Sequence, residues 1–234
     1  MTLENKLKQA IDGGFDYFGI ADLGPARQAM MSQGGLDVER YPRAVSIGVA
    51  LMDEIVDLLP HNQERWAAVT YRSHSYDVIN TRLDQMASRV ASELQRAGFK
   101  ALPLPASLRV DDERICALFS HKMAAHLAGL GWIGKSCLLV TPDRGPRVRW
   151  VSVLTDAPLI PTGHAMDQRC GECMECVRAC PASAILGRNF IQHEPREARM
   201  DAGKCERHYD ELEAQGKVAV CGMCLYICPK GKKR

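Results

Sequence analysis

Four cysteines crowd into CGECMECVRACP, at Cys170, Cys173, Cys176 and Cys180, the last of them followed by Pro181. The pattern returns near the C-terminus as Cys221, Cys224 and Cys228-Pro229, with Cys205 upstream in place of the first short-range thiol. Thiolates at every third residue of a loop can wrap three corners of a 4Fe-4S cube, and the fourth corner must come from elsewhere. Two such loops can complete each other.

In two-cluster ferredoxins the cysteine before proline ligates the other cluster. That rule predicts one cluster on Cys170, Cys173, Cys176 and Cys228, and another on Cys180, Cys205, Cys221 and Cys224, with every thiol used once. A pair of four-thiolate zinc sites also uses C-x2-C pairs and is the competing arrangement, although zinc does not require two runs that each end in Cys-Pro. Two adjacent cubes exchange single electrons, so the chemistry implied is an electron relay.

The rest of the composition is ordinary. The chain has 234 residues, 46% of them apolar and 25% charged, with a net charge of +2. This excludes wholesale disorder and gives no electrostatic argument for nucleic acid. No apolar run is long enough to span a bilayer and the start MTLENKLKQAIDGG lacks a signal-peptide core, so a cytoplasmic protein with no membrane partner is expected. Thiols in that setting stay reduced and bind metal.

Something must position these thiols. Leu3, Leu7, Ala10 and Ile11 form a helical stripe stopped by Gly13-Gly14, and FDYFGIAD reads as a strand. Pro25 opens a second helix, which Gly34-Gly35 breaks. Ala44 to Met52 is a strand covered on both faces, followed by a less regular stretch from Asp53 to Ser75. From Tyr76 a long helix carries Ile79, Leu83, Met86, Val90 and Leu94 to a stop at Gly98. KALPLP reads as an edge strand, and a further helix covers about 117 to 127. SCLLVT and RVRWVSVLT flank Pro142-Asp143-Arg144-Gly145 and predict a hairpin with Arg147, Arg149 and Ser152 facing out. This mixture predicts a layered α/β (α+β) domain over residues 1 to 162, and a ferredoxin-like double-cluster domain over 163 to 234.

GLGWIGKSCLL at Gly129 to Leu139, then VLTDAPL and the double cysteine motif, resemble epoxyqueuosine reductase, a cobalamin-dependent iron-sulfur enzyme of queuosine biosynthesis related to reductive dehalogenases. GGFDYFGIADL and YPRAVSIGVAL fit the family's opening segments. The resemblance implies that the first domain is of cobalamin type and binds cobalamin or another corrinoid, with Gly131, Trp132, Gly134, Lys135 and Ser136 lining it. It also implies an external one-electron donor of ferredoxin or flavodoxin type. Two departures stand out. The family's proton-donating Asp falls about twenty residues before the glycine-rich Lys; without gaps Ile115 stands there, and a small gap brings Asp112 to the position. The tRNA-binding helical repeats that typically follow the clusters are absent, which argues against a nucleic-acid partner; the basic tail Lys230 to Arg234 and RGPRVRW are too short to restore the argument.

Cys116 and Cys137 belong to neither motif and read as small apolar residues, with a proton-donor role as the alternative. His121 and His126 are spaced five apart, which suits no shared metal. The function expected is that of an iron-sulfur redox protein, relaying electrons to a bound corrinoid for a reductive reaction. A non-catalytic carrier or corrinoid-handling partner of another enzyme, and epoxyqueuosine reduction on tRNA, are the alternatives.

Overall fold

The computed structural model describes residues 1–34 and 40–232. The chain runs α1 (Leu3–Ala10), β1 (Tyr17–Asp22), α2 (Arg27–Gly34), β2 (Arg43–Ala50), α3 (Asp53–Val56), α4 (Arg65–Arg72), α5 (Ile79–Arg96), β3 (Ala101–Leu104), α6 (His121–Leu127), β4 (Trp132–Ile133), β5 (Leu139–Val140), β6 (Val148–Thr155), α7 (Glu175–Arg178), α8 (Ala202–Ala214) and α9 (Met223–Tyr226). The helix starts follow from side-chain caps: Thr2, Ser120 and Asp201 accept from the backbone N–H three residues on, at α1, α6 and α8. Helix α2 ends at Gly34, and Gly35 lies outside the described residues, as do Lys233 and Arg234 of the basic tail.

Two packing units result, and they are not consecutive blocks. The first comprises Met1–Ala50, Ile79–Trp132 and Arg149–Asp167. Its sheet has the order β1-β2-β6-β3, with β1 antiparallel to β2 (Tyr17 opposite Gly48) and β3 antiparallel to β6 (Ala101 opposite Thr155). Helix α5 packs on β2 and β3, and α6 on β1 and β2. The stripe expected on α5 is the buried one: Ile79, Leu83, Met86, Val90 and Leu94. The second unit gathers Leu51–Val78 and Ile133–Val148 around the cysteine-rich segment Gln168–Arg234. Composition alone suggested a single division at 162. It could not show that these two stretches pack with the thiols.

The structure corrects three expectations. The irregular stretch after Asp53 is helical, with α3, a 3-10 turn at Leu59–His61, α4 and a π-helical run at Ser73–Val78 leading into α5. The hairpin across Pro142–Gly145 is not formed: β5 pairs with β4, and β6 leaves to join the larger sheet, so that the turn closes only the bridge Thr141–Gly145. Arg147 and Ser152 do not face out. Strand β6 is interior and buried along nearly its whole length, so Ser152 Oγ meets His121 Nδ1 at 3.0 Å, while Arg147 pairs with Asp53 and Asp57 at 3.2 and 2.7 Å.

Candidate iron-sulfur centre

The first cysteine run forms a loop ending in the single turn of α7, and the second ends in α9. Such short turns alternate N–H groups and side chains around a centre, and several N–H groups aim at sulfur. Ala184 N donates to Cys180 Sγ at 3.3 Å, and the Met223 backbone holds the Cys221 thiol while those of Lys230 and Gly231 hold Cys228. Gly222 takes φ +73, which admits glycine readily, and an added Cβ would stand 2.8 Å from Leu59 Cδ1.

Five of the thiols are raised by burial first and then by neighbouring thiols from both motifs. Burial, then Cys170, Cys228 and Cys173, push the Cys176 thiol up to about 11. Burial, then Cys221 and Cys180, push Cys205 up to about 11. Burial followed by Cys221, Cys205, Cys180 and Cys176 raises Cys224 as well. Cys228 is raised by burial and, among the thiols, by Cys170 and Cys173. Cys228 thus neighbours Cys170, Cys173 and Cys176 of the first motif, and Cys180 neighbours Cys205, Cys221 and Cys224. Such thiols hold their protons until a metal takes their place, so loading releases protons.

Among the described residues no three His, Cys, Asp or Glu side chains converge closely enough to hold a single metal ion. Four sulfurs on one zinc stand about 3.8 Å apart, from tetrahedral geometry at a Zn–S distance of about 2.3 Å. The donor set is all-thiol, the chemistry that iron-sulfur clusters take. A concavity bounded by Cys170, Cys173, Cys176 and Cys228 offers the first cube its volume.

Residues remote in sequence from the two cysteine runs hold these loops. Asn62 Nδ2 donates to the Cys221 carbonyl at 3.1 Å. Tyr209, on α8 one turn beyond Cys205, lies among Cys205, Cys221, Cys224 and Tyr76, and its hydroxyl bonds the Cys205 thiol. A Cβ on Gly145 would strike the Lys230–Gly231 backbone at 2.4 Å, so glycine is required where the 142–145 turn meets the end of the second motif. Lys135 Nζ donates to the carbonyls of Gly171 (2.7 Å) and Cys173 (3.3 Å) and meets Met174 Sδ at 3.7 Å.

The other predicted positions fall as follows. Trp132, Lys135 and Ser136 are buried, and Gly134 sits where a Cβ would meet Val140 Cγ2 at 3.0 Å and Cys170 Sγ at 3.5 Å. With its donors engaged by the first cysteine loop, Lys135 leaves its backbone, not its ammonium, to meet a bound corrin. Asp112 lies on the loop between β3 and α6, 91% exposed and 3.4 Å from Arg109. Cys137 is buried at φ +58, and Cys116 bridges Asp111 through the backbone. His121 is held by Ser152 and Pro105, and His126 Nδ1 by Gly131 O, so neither stands with a metal-binding group.

Residues 169–231 match the model of the 4Fe-4S double cluster binding domain. The chain is 30% identical over 167 residues to the epoxyqueuosine reductase of Pseudomonas aeruginosa, a match spanning 66% of this chain and 40% of that protein. This chain resembles the epoxyqueuosine reductases. It also has the fold of solved epoxyqueuosine reductases and reductive dehalogenases. One epoxyqueuosine reductase, solved with an epoxyqueuosine-modified tRNA-Tyr stem loop, superposes with a TM-score of 0.58 at 19% identity over 98% of this chain and 64% of that one. A reductive dehalogenase whose structure suggests a mechanism for B12-dependent dehalogenation superposes at 0.67 and 20%, over 94% and 30%. The chain thus spans less than half of the curated epoxyqueuosine reductase it matches, and under two thirds of the solved one. No described helix is long and apolar enough to cross a membrane.

Proposed function

We propose that this iron-sulfur protein relays single electrons from an external donor of ferredoxin or flavodoxin type, through two 4Fe-4S clusters, to a corrinoid-dependent reduction. The observation that supports the reading is the double-cluster match over residues 169–231, in which Cys228 neighbours Cys170, Cys173 and Cys176 and Cys180 neighbours Cys205 and Cys221. A cube in each set then shares its loops with the other, which fixes their separation, and short separation is what single-electron exchange needs. The chain's own part is to present eight thiolates, bury them from water and aim backbone N–H groups at sulfur, a known lever on cluster potential.

The corrinoid is supported by the B12-dependent dehalogenase that shares this fold. When bound it supplies a strongly nucleophilic cobalt. Its proposed lining is Gly131, Trp132, Gly134, Lys135 and Ser136, met through backbone in the case of Lys135, since that side chain faces the first cysteine loop. Asp112 is the proposed proton donor; being exposed, it would act once substrate covers it. A tRNA substrate is a second reading, supported by the epoxyqueuosine reductase bound to a tRNA stem loop.

Anaerobic reconstitution with iron, sulfide and cobalamin tests the proposal. Two clusters of four irons, with cobalamin bands retained after gel filtration, are expected. Full iron without cobalamin would leave a carrier that serves a separate corrinoid enzyme, and zinc in place of iron would end the reading. Queuosine in tRNA, measured with and without the gene, decides the tRNA substrate.

A further inference from the structure

Lys135 is buried, with 7% of its surface exposed, and all three of its N–H donors are directed at one short loop. The acceptors are the Gly171 and Cys173 carbonyls and the Met174 thioether, every one of them neutral. Of the two carboxylates in and beside that loop, Glu172 is exposed, and Glu175, which lines the same concavity, is engaged by Arg178. No ion pair to Lys135 occurs among the described residues. A buried ammonium without a carboxylate is costly unless other negative charge compensates it. Lys135 lines the same concavity as Cys170, Cys173, Cys176 and Cys228. Four thiolates on a cube are the negative charge that the site would acquire.

We propose that Lys135 sets the reduction potential of the first cluster: its fixed ammonium stabilises the reduced cube, while its hydrogen bonds hold the loop that carries three of the ligands. On reduction the cube takes one electron from the donor and gains one negative charge, and no bond forms or breaks. A cation held beside it in a low-dielectric pocket favours that charge far more than a solvated one would. Among the described residues Lys135 is the one buried lysine, so the two clusters are expected to differ in potential, with the first the higher.

This inference rests on the two clusters proposed above, and the test separates the two. Iron content of the native chain checks the clusters. Potentiometric titration followed by electron paramagnetic resonance checks Lys135, with Cys176→Ser assigning which signal belongs to the first cluster. Lys135→Gln keeps N–H donors and removes the charge. It should lower the reduced-to-oxidised ratio of the first cluster at fixed poise at least tenfold, about 59 mV for a one-electron couple, and leave the second cluster unmoved. Lys135→Arg should stay within threefold of native. Unchanged potentials in Lys135→Gln, equal shifts in both clusters, or an equal fall in Lys135→Arg would overturn the assignment. Should Lys135→Gln load only the second cluster, the charge reading stands if Lys135→Arg carries full iron, and it fails if both variants lose the same cluster.

Discussion

Cys176 and Cys137 are both thiols, yet their surroundings assign them opposite fates. Cys176 is raised first by burial and then by three other thiols, so removing it takes away a corner. Cys137 is buried alone at a left-handed turn position. Cys176→Ala is expected to cost the chain the first cluster, about half of its iron. Cys137→Ala should keep the full complement by iron analysis, and equal losses would remove the distinction. The histidines respond to pH in a defined direction. Burial lowers the pKa of His121 and of His126, so both fold in the neutral form. The unfolded chain binds those protons more readily below its pKa of about 6.5, so their contribution is present above that pH and lost as pH falls through and below it. Denaturation of the apo chain at pH 7.5 and 5.5 should show lower stability at 5.5, and His121→Gln, which bears no titrating ring, should flatten the dependence.

Helix α5 was legible before any coordinates because its apolar residues repeat at three and four, a signal local to the sequence. The ligand partition is an expectation of a different kind, drawn from the Cys-Pro endings and the rule of two-cluster ferredoxins. Strand β6 was misread as one arm of a hairpin because a turn signal records only local backbone preference. Its actual neighbour β3 lies some fifty residues earlier in register, Pro103 facing Val153. Arg147 shows the same limit, since alternation places it outward while Asp53 and Asp57, distant in sequence, hold it inside. At the level of elements, Gly48 on β2 faces the indole of Trp150, where a Cβ would lie 2.6 Å from Cζ3. Gly48→Ala should therefore destabilise the sheet by about 1–3 kcal/mol in chemical denaturation, the usual cost of overpacking; a neutral result would show that the indole can shift. Removing the α8 cap with Asp201→Ala should cost about 1 kcal/mol.

Across the molecule, the cysteine-rich segment depends on residues remote from it in sequence. Asn62 holds the Cys221 carbonyl, Lys135 the first loop, and Gly145 admits the chain after Cys228. None of these contacts carries a sequence signature, because each is a hydrogen bond or a close approach between segments whose own patterns are ordinary. A fragment of residues 163–234 alone keeps every cysteine ligand and loses all three supports. It should load iron less completely and lose it to a chelator at least tenfold faster than the whole chain; equal retention would show that the loops organise themselves.

The bond between Asn62 and the Cys221 carbonyl joins residues 159 positions apart. At about 5–20 residues per second of synthesis, the asparagine leaves the ribosome on the order of ten to thirty seconds before its acceptor exists. Through that interval the nascent polypeptide carries an unfinished seat, and oxygen or a competing metal can reach the earlier thiols first. Delivery of iron and sulfide to a completed seat therefore follows the synthesis of Cys221.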